Sequence, residues 1–286
     1  MAIDRLQNSI RKRKNPSMIA FCPDKNVVPP AFLHNGQSVI SVYLQYAKKL
    51  LEALKDTVPA VRFAFGAFSV YGSEGLEALK ELLDLASRLG YYILLDAPES
   101  DAPQTTEVLA EVMLNDWKFD GLLLNCYMGS DGIKPFTDRL KERDFDLFLT
   151  VRTANKSAAE IQDLLTGTRL VYTVSADLAK RLGDNFIGRC GYSRVAGIGP
   201  ATSAESLRTL RGKYPEMFFL IDGYDYSGAN AKNCSFAFDR FGHGAVACAS
   251  ESVIAAWKEE GKDAVAAAVE TAERMKKNLT RYVAVM

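Results

Sequence analysis

Histidine is scarce in this 286-residue chain. Its two histidines, His34 and His243, lie far apart, which argues against a histidine-built metal site. Cysteine is thin as well. The five thiols, Cys22, Cys126, Cys190, Cys234 and Cys248, are odd in number and form no Cys-x-x-Cys pair, so reduced thiols in a cytoplasmic protein are expected. Net charge is missing altogether: 35 basic residues balance 35 acidic ones, which argues against a dedicated nucleic-acid binder. No apolar run reaches the ~18 residues of a membrane span, and the opening Met1-Ala2-Ile3-Asp4-Arg5 lacks the apolar stretch of a secretory signal. Repeats, low-complexity tracts and linkers are absent too. What remains is ordinary globular material, 48% hydrophobic and 24% charged.

Short apolar runs alternate with amphipathic stretches. Eight runs stand out: 17–22, 61–66, 91–96, 121–127, 146–153, 195–199, 217–223 and 244–249. They are apolar without strict alternation, as expected of parallel strands buried on both faces. Between them, helical spacing marks 38–56, 75–89, 105–114, 133–142, 158–165, 174–182 and 205–211. Gly90 is placed as a C-cap. Eight strand–helix units fit an α/β fold, a single (β/α)8 TIM barrel spanning 1–286, with a helical extension over about 252–286. A doubly wound sheet is the alternative, but no Gly-x-Gly-x-x-Gly follows the first strand. The basic run Arg11-Lys12-Arg13-Lys14 reads as a solvated helix end.

In such a barrel, chemistry belongs at the C-terminal ends of the strands. Those ends offer Cys22, Arg62, Asp96, Asn125, Arg152, Thr153, Asn155, Asp222 and Glu251. The third strand runs into Asp96-Ala97-Pro98-Glu99-Ser100-Asp101, three acids in six residues. This is either an acidic catalytic or metal-binding cluster, or a polar loop in which Ser100 or Asp101 caps the next helix. The last two loops, which in phosphate-handling barrels supply amides and a cation, supply Asp222, Asp225 and Glu251.

Several segments together resemble the orotidine 5'-phosphate decarboxylase family, in its bacterial type with longer loops. They are Asp4-Arg5-Leu6 with Asn15-Pro16, Val58 to Arg62, Gly72-Ser73-Glu74-Gly75, and Leu124-Asn125-Cys126-Tyr127-Met128-Gly129-Ser130-Asp131 with Pro135-Phe136. Gln162-Asp163-Leu164, Gly191-Tyr192-Ser193 and Phe218-Phe219-Leu220 follow in order. The resemblance implies a TIM barrel, decarboxylation of orotidine 5'-phosphate to UMP in pyrimidine biosynthesis, no cofactor, no metal and a homodimer. It also implies a nucleoside-monophosphate ligand. An inactive member would also be suited to pairing with a competent paralogue.

The family's active-site pattern is only partly present. Its Lys-Asp-Lys-Asp array includes an Asp-x-Lys-x-x-Asp segment whose second Asp serves the partner subunit. Here Asp96 and Asp101 remain, Pro98 stands in place of the proton-donating lysine, and the other lysine is Arg62. Proline has no side-chain proton to give, and a guanidinium with a pKa above ~12 is a poor acid. The ribose-contacting Asp-Pro is Cys22-Pro23, and Thr-Ser-Asn-Pro is Thr153-Ala154-Asn155-Lys156. Pro-Gly-x-x-x-Gln-Gly becomes Asp222 to Gly228, with Ser227 for the glutamine, and the phosphate-pairing arginine becomes Glu251. A unit-charge contact at ~4 Å and an effective dielectric of ~20 is worth ~4 kcal/mol, so exchanging attraction for repulsion exceeds the loss of one hydrogen bond. Loss of the general acid costs ~10²–10⁴-fold.

The resemblance therefore assigns Asp96, Asp101 and Arg62 as the remnant of the catalytic array. Cys22, Asn125, Thr153, Asn155, Tyr224, Ser227 and Glu251 occupy the substrate-binding positions. Asp96 and Asp101 are also suited to pairing with Arg62 across the barrel mouth, with Lys25, Lys156 or Arg152 as replacement cations. Three readings stand. The chain is a decarboxylation-incompetent homologue, an enzyme for a less anionic substrate using Asp96, Asp101 and Arg62, or a decarboxylase working through replacement residues.

Overall fold

The computed structural model describes residues 1–33, 36–97, 100–260 and 263–286. Eight parallel strands close into a barrel: β1 (Ser17–Phe21), β2 (Ala60–Ala64), β3 (Tyr92–Asp96), β4 (Gly121–Leu124), β5 (Asp146–Thr150), β8 (Val195–Pro200), β9 (Phe219–Asp222) and β10 (Ala245–Ala249). Each follows its chain predecessor around the ring, and β10 pairs with β1. The eight apolar runs are these eight strands. A ninth and tenth strand, β6 (Leu165–Thr166) and β7 (Arg169–Leu170), form a small antiparallel hairpin outside the barrel.

Alternation within each strand divides the core in two. Met18, Ala60, Leu94, Leu123, Phe148, Ala196, Leu220 and Val246 point inward and fill the barrel. Their neighbours Ile19, Val61, Ile93, Leu95, Leu122, Leu147, Val195, Ile221 and Ala247 point outward against the helices. Both faces are buried, so the strands carry no polar alternation.

The outer layer comprises α2 (Val39–Leu54), α3 (Phe65–Ser69), α4 (Gly72–Arg88), α5 (Pro103–Asp116), α6 (Lys134–Arg139), α7 (Val171–Gly183), α8 (Ala204–Lys213), α9 (Ala231–Ser235), α10 (Glu251–Ile254), α11 (Trp257–Glu260) and α12 (Ala264–Thr280). The first helix, α1 (Ala2–Arg13), has a different task. It presses Ala2, Ile3, Leu6 and Ile10 into the interior cluster and stoppers the N-terminal end of the barrel. The basic run ends this helix: Arg11 bonds the Met286 carbonyl and Arg13 the Lys55 carbonyl.

One expected helix is absent. Segment 158–165 forms a 3-10 turn (Lys156–Glu160) leading into the β6–β7 hairpin. Side-chain anchors win over helical spacing here. Arg152 grips Asp163 with two bonds of 2.8 and 2.7 Å, and the Thr153 backbone N–H donates to Gln162 at 2.8 Å.

Candidate functional site at the barrel mouth

The strand ends surround a cavity of about 870 Å³ at the C-terminal face of the barrel. Its floor follows from the inward alternation. Ala60, Leu94, Leu220 and Val246 lie in the interior cluster, so Arg62, Asp96, Asp222 and Cys248, each two residues further along its strand, face inward one layer higher. Small Ala20 lies opposite Arg62 in the register and leaves room for the guanidinium.

Arg62 is the hub. Its Nε and Nη2 donate to Asp96 Oδ2 at 2.9 and 2.5 Å, and its Nη1 donates to Asp222 Oδ1 at 2.8 Å. Asp96 comes from the adjacent strand, whereas Asp222 reaches over from β9, beyond β1 and β10 in the ring. Burial opposes the charge on Arg62. The Asp222 and Asp96 carboxylates outweigh it and hold the guanidinium pKa above its usual value. Cys248 is buried beneath, and burial pushes its thiol up to about 12. Burial raises the Cys126 thiol, and the exposed Cys22 thiol is raised by partial desolvation and then by Asp24, so none of the three is poised as a thiolate.

The rim is acidic. Among the lining residues, Asp96, Asp222, Asp225, Glu251 and Glu259 outnumber Arg62 and Lys258. Lys258 bonds Glu251 at 2.9 Å. Both cations of the lining therefore already have carboxylate partners.

Of the residues singled out from sequence, Cys22, Arg62, Asp96, Thr153, Asn155, Tyr224 and Glu251 share the cavity. Thr153 and Asn155 bond each other at 2.6 Å on its wall. Tyr224 is buried, which pushes its phenol up to about 12. Ser227 lies on the exposed part of the same loop, in the left-handed region at φ 49°, and is not in the lining. Asp101 and Asn125 stand apart on the outer loops. The expected pairing of Asp101 with Arg62 is replaced by Asp222. The Asp101 backbone is tied to Thr106, and its carboxylate accepts from the Ala102 N–H. Asn125 accepts from the Tyr127 N–H, and Ser100 Oγ donates to the Asn125 carbonyl. Neither Ser100 nor Asp101 caps α5, whose N-cap, Ala102, makes no side-chain bond. Pro98 and Glu99 lie outside the described residues. The suggested replacement cations stay away: Arg152 is bound to Asp163, and neither Lys25 nor Lys156 lines the cavity. Sequence reasoning missed the Arg62–Asp222 bond and the return of Lys258 to the rim. Alternation along β9, with Leu220 inward and Asp222 two residues on, is the signal that could have placed Asp222 facing Arg62.

No family model matches the chain. Individual relatives do. It is 32% identical over 262 residues to orotidine 5'-phosphate decarboxylase of Clostridium acetobutylicum, covering 91% of each chain. It is 28% identical over 261 residues to the Clostridium novyi enzyme of that name, covering 91% of this chain and 90% of the other. Among solved structures, the Leishmania donovani OMP decarboxylase superposes with a TM-score of 0.74 at 22% identity, over 98% of this chain and 99% of that one. Plasmodium berghei orotidine 5'-monophosphate decarboxylase gives 0.80 at 16% identity, over 99% of both. The fold is thus the (β/α)8 barrel of that group. The chain belongs to the orotidine 5'-phosphate decarboxylase family.

Proposed function

We propose that this chain is a family member that does not decarboxylate orotidine 5'-phosphate. The observation that carries this reading is the closed pairing of Arg62 with Asp96 and Asp222. A guanidinium held above its usual pKa gives up no proton at neutral pH. The position that resembles the proton-donating lysine is Pro98 in the sequence. Where the family has its phosphate arginine this chain has Glu251, which forms an ion pair of no net charge with Lys258 and so leaves, among the described residues, no unpaired rim cation for a phosphate. Remote phosphate binding energy drives the chemistry only if the phosphate is bound, so the losses compound. Among the described residues no lysine other than Lys258 lines the cavity, which weighs against decarboxylation through replacement residues.

A second reading, an enzyme acting on a less anionic substrate, draws support from the open cavity itself. It would rest on Asp96 and Arg62, because Asp101 is outside the lining. The proposal also includes one barrel unit over the whole chain with a C-terminal helical extension, a cytoplasmic location, and a homodimer or a pair with a competent paralogue. Among the described residues no helix is long and apolar enough to cross a membrane. Support for pairing comes from the loop after β4, where Tyr127 is 85% and Met128 49% exposed.

The deciding assay follows UMP formation from orotidine 5'-phosphate at high enzyme concentration. The expected rate equals that of the buffer. Turnover abolished by Asp96→Ala overturns the proposal.

A further inference from the structure

The floor of the cavity holds one cation, and how it is shared determines what the cavity admits. Arg62 has its Nε and Nη2 edge on Asp96, its strand neighbour, and both side chains are about five-sixths buried (16% and 15% exposed). The Nη1 end is bound by Asp222, which comes from β9, beyond β1 and β10 in the ring, at 2.8 Å. Asp222 is the more open of the two carboxylates, at 33% exposure, and lines the cavity together with Arg62 and Asp96. One positive and two negative charges leave the trio at −1. They lie over an apolar layer of Leu94, Leu220 and Val246, where charge is poorly screened. The other cation of the lining, Lys258, is engaged by Glu251.

We infer that Asp222 sets the charge selectivity of the cavity. By occupying Nη1 of Arg62 it withholds the floor cation from incoming anions. The cavity therefore selects uncharged or cationic molecules of nucleoside size over phosphates and carboxylates. This inference rests on the proposed loss of decarboxylation and supplies its ligand class. Without Asp222 the trio becomes a neutral pair with one free guanidinium edge, suited to bidentate recognition of an anion.

The test is calorimetric titration of the wild type, Asp222→Asn and Glu251→Gln with UMP and with uridine, alongside the turnover assay. Asp222→Ser serves as a second variant that frees Nη1, and far-UV circular dichroism checks that each is folded. Asp222→Asn and Asp222→Ser are expected to tighten UMP about tenfold or more, with uridine changed less than about twofold, and the gain should shrink as salt is raised. Glu251→Gln removes the same charge from the exposed rim, where solvent screens it and Lys258 already offsets it, and is expected to tighten UMP by clearly less than the Asp222 variants do. Equal gains from Glu251→Gln, or no gain from the folded Asp222 variants, overturn the role of Asp222 and leave the proposed inactivity standing. Orotidine 5'-phosphate turnover by the wild type would overturn the inactivity itself.

Discussion

At the scale of single residues, the mouth and the floor of the barrel treat buried charge differently. Asp96 holds two guanidinium bonds, and removing it strands Arg62 beside Asp222 alone. Asp96→Ala is expected to destabilise the fold by about 2–4 kcal/mol in urea titration. A gain in stability would instead identify strain kept for activity. At the other end, Asp146 is fully buried and accepts from the Tyr92 hydroxyl at 2.9 Å. Burial pushes its carboxyl up to about 8, with Tyr92 and then Arg194 countering only in part. The native state therefore keeps this proton, while the unfolded chain loses it near pH ~3.9. Between those values the native state binds more protons, so this contribution to stability is full below pH ~4 and lost as pH rises through about 8. Asp146→Asn should flatten that decline in stability measured between pH 5 and 8.5.

At the scale of elements, α3 and α4 meet at a glycine. A methyl group on Gly75 would lie 2.0 Å from the Phe68 carbonyl oxygen, a backbone atom that no rotamer change can move. Gly75→Ala is expected to lower stability by about 2–3 kcal/mol or to displace α3, read as a fall in melting temperature. This segment also shows why local patterns were readable. Parallel strands appear as continuous apolar runs and α4 as a leucine repeat, because both faces of a strand and one stripe of each helix are buried whatever their neighbours. The 158–165 segment broke the rule. Its Ile161, Leu164 and Leu165 are exposed, so their helical spacing reflects no buried face. Arg152 and Thr153 hold the backbone in another shape.

For the molecule as a whole, the proposed pairing has a direct readout. Tyr127 and Met128 are exposed apolar side chains beside Asp101 and Asn125 on the outer loops. Sedimentation is expected to give twice the 31.5 kDa chain mass. Tyr127→Asp, at a side chain that is free in the single chain, should shift the protein toward monomer without loss of helix content. A monomer in the wild type would remove the pairing proposal.

Strand positions, barrel class and the residues at the strand ends were legible in the sequence, since periodicity and burial act over a few neighbouring positions. Cys22, Arg62, Asp96 and Glu251 could be placed at the mouth for that reason. Which of them touch was decided by closure of the ring. Asp101 follows Asp96 by five residues yet is carried outward by its ties to Thr106. Asp222 is 160 positions from Arg62 and meets it at 2.8 Å. A charge finds its partner through the shear and curvature of eight strands, and those are properties of the assembled barrel rather than of any segment within it.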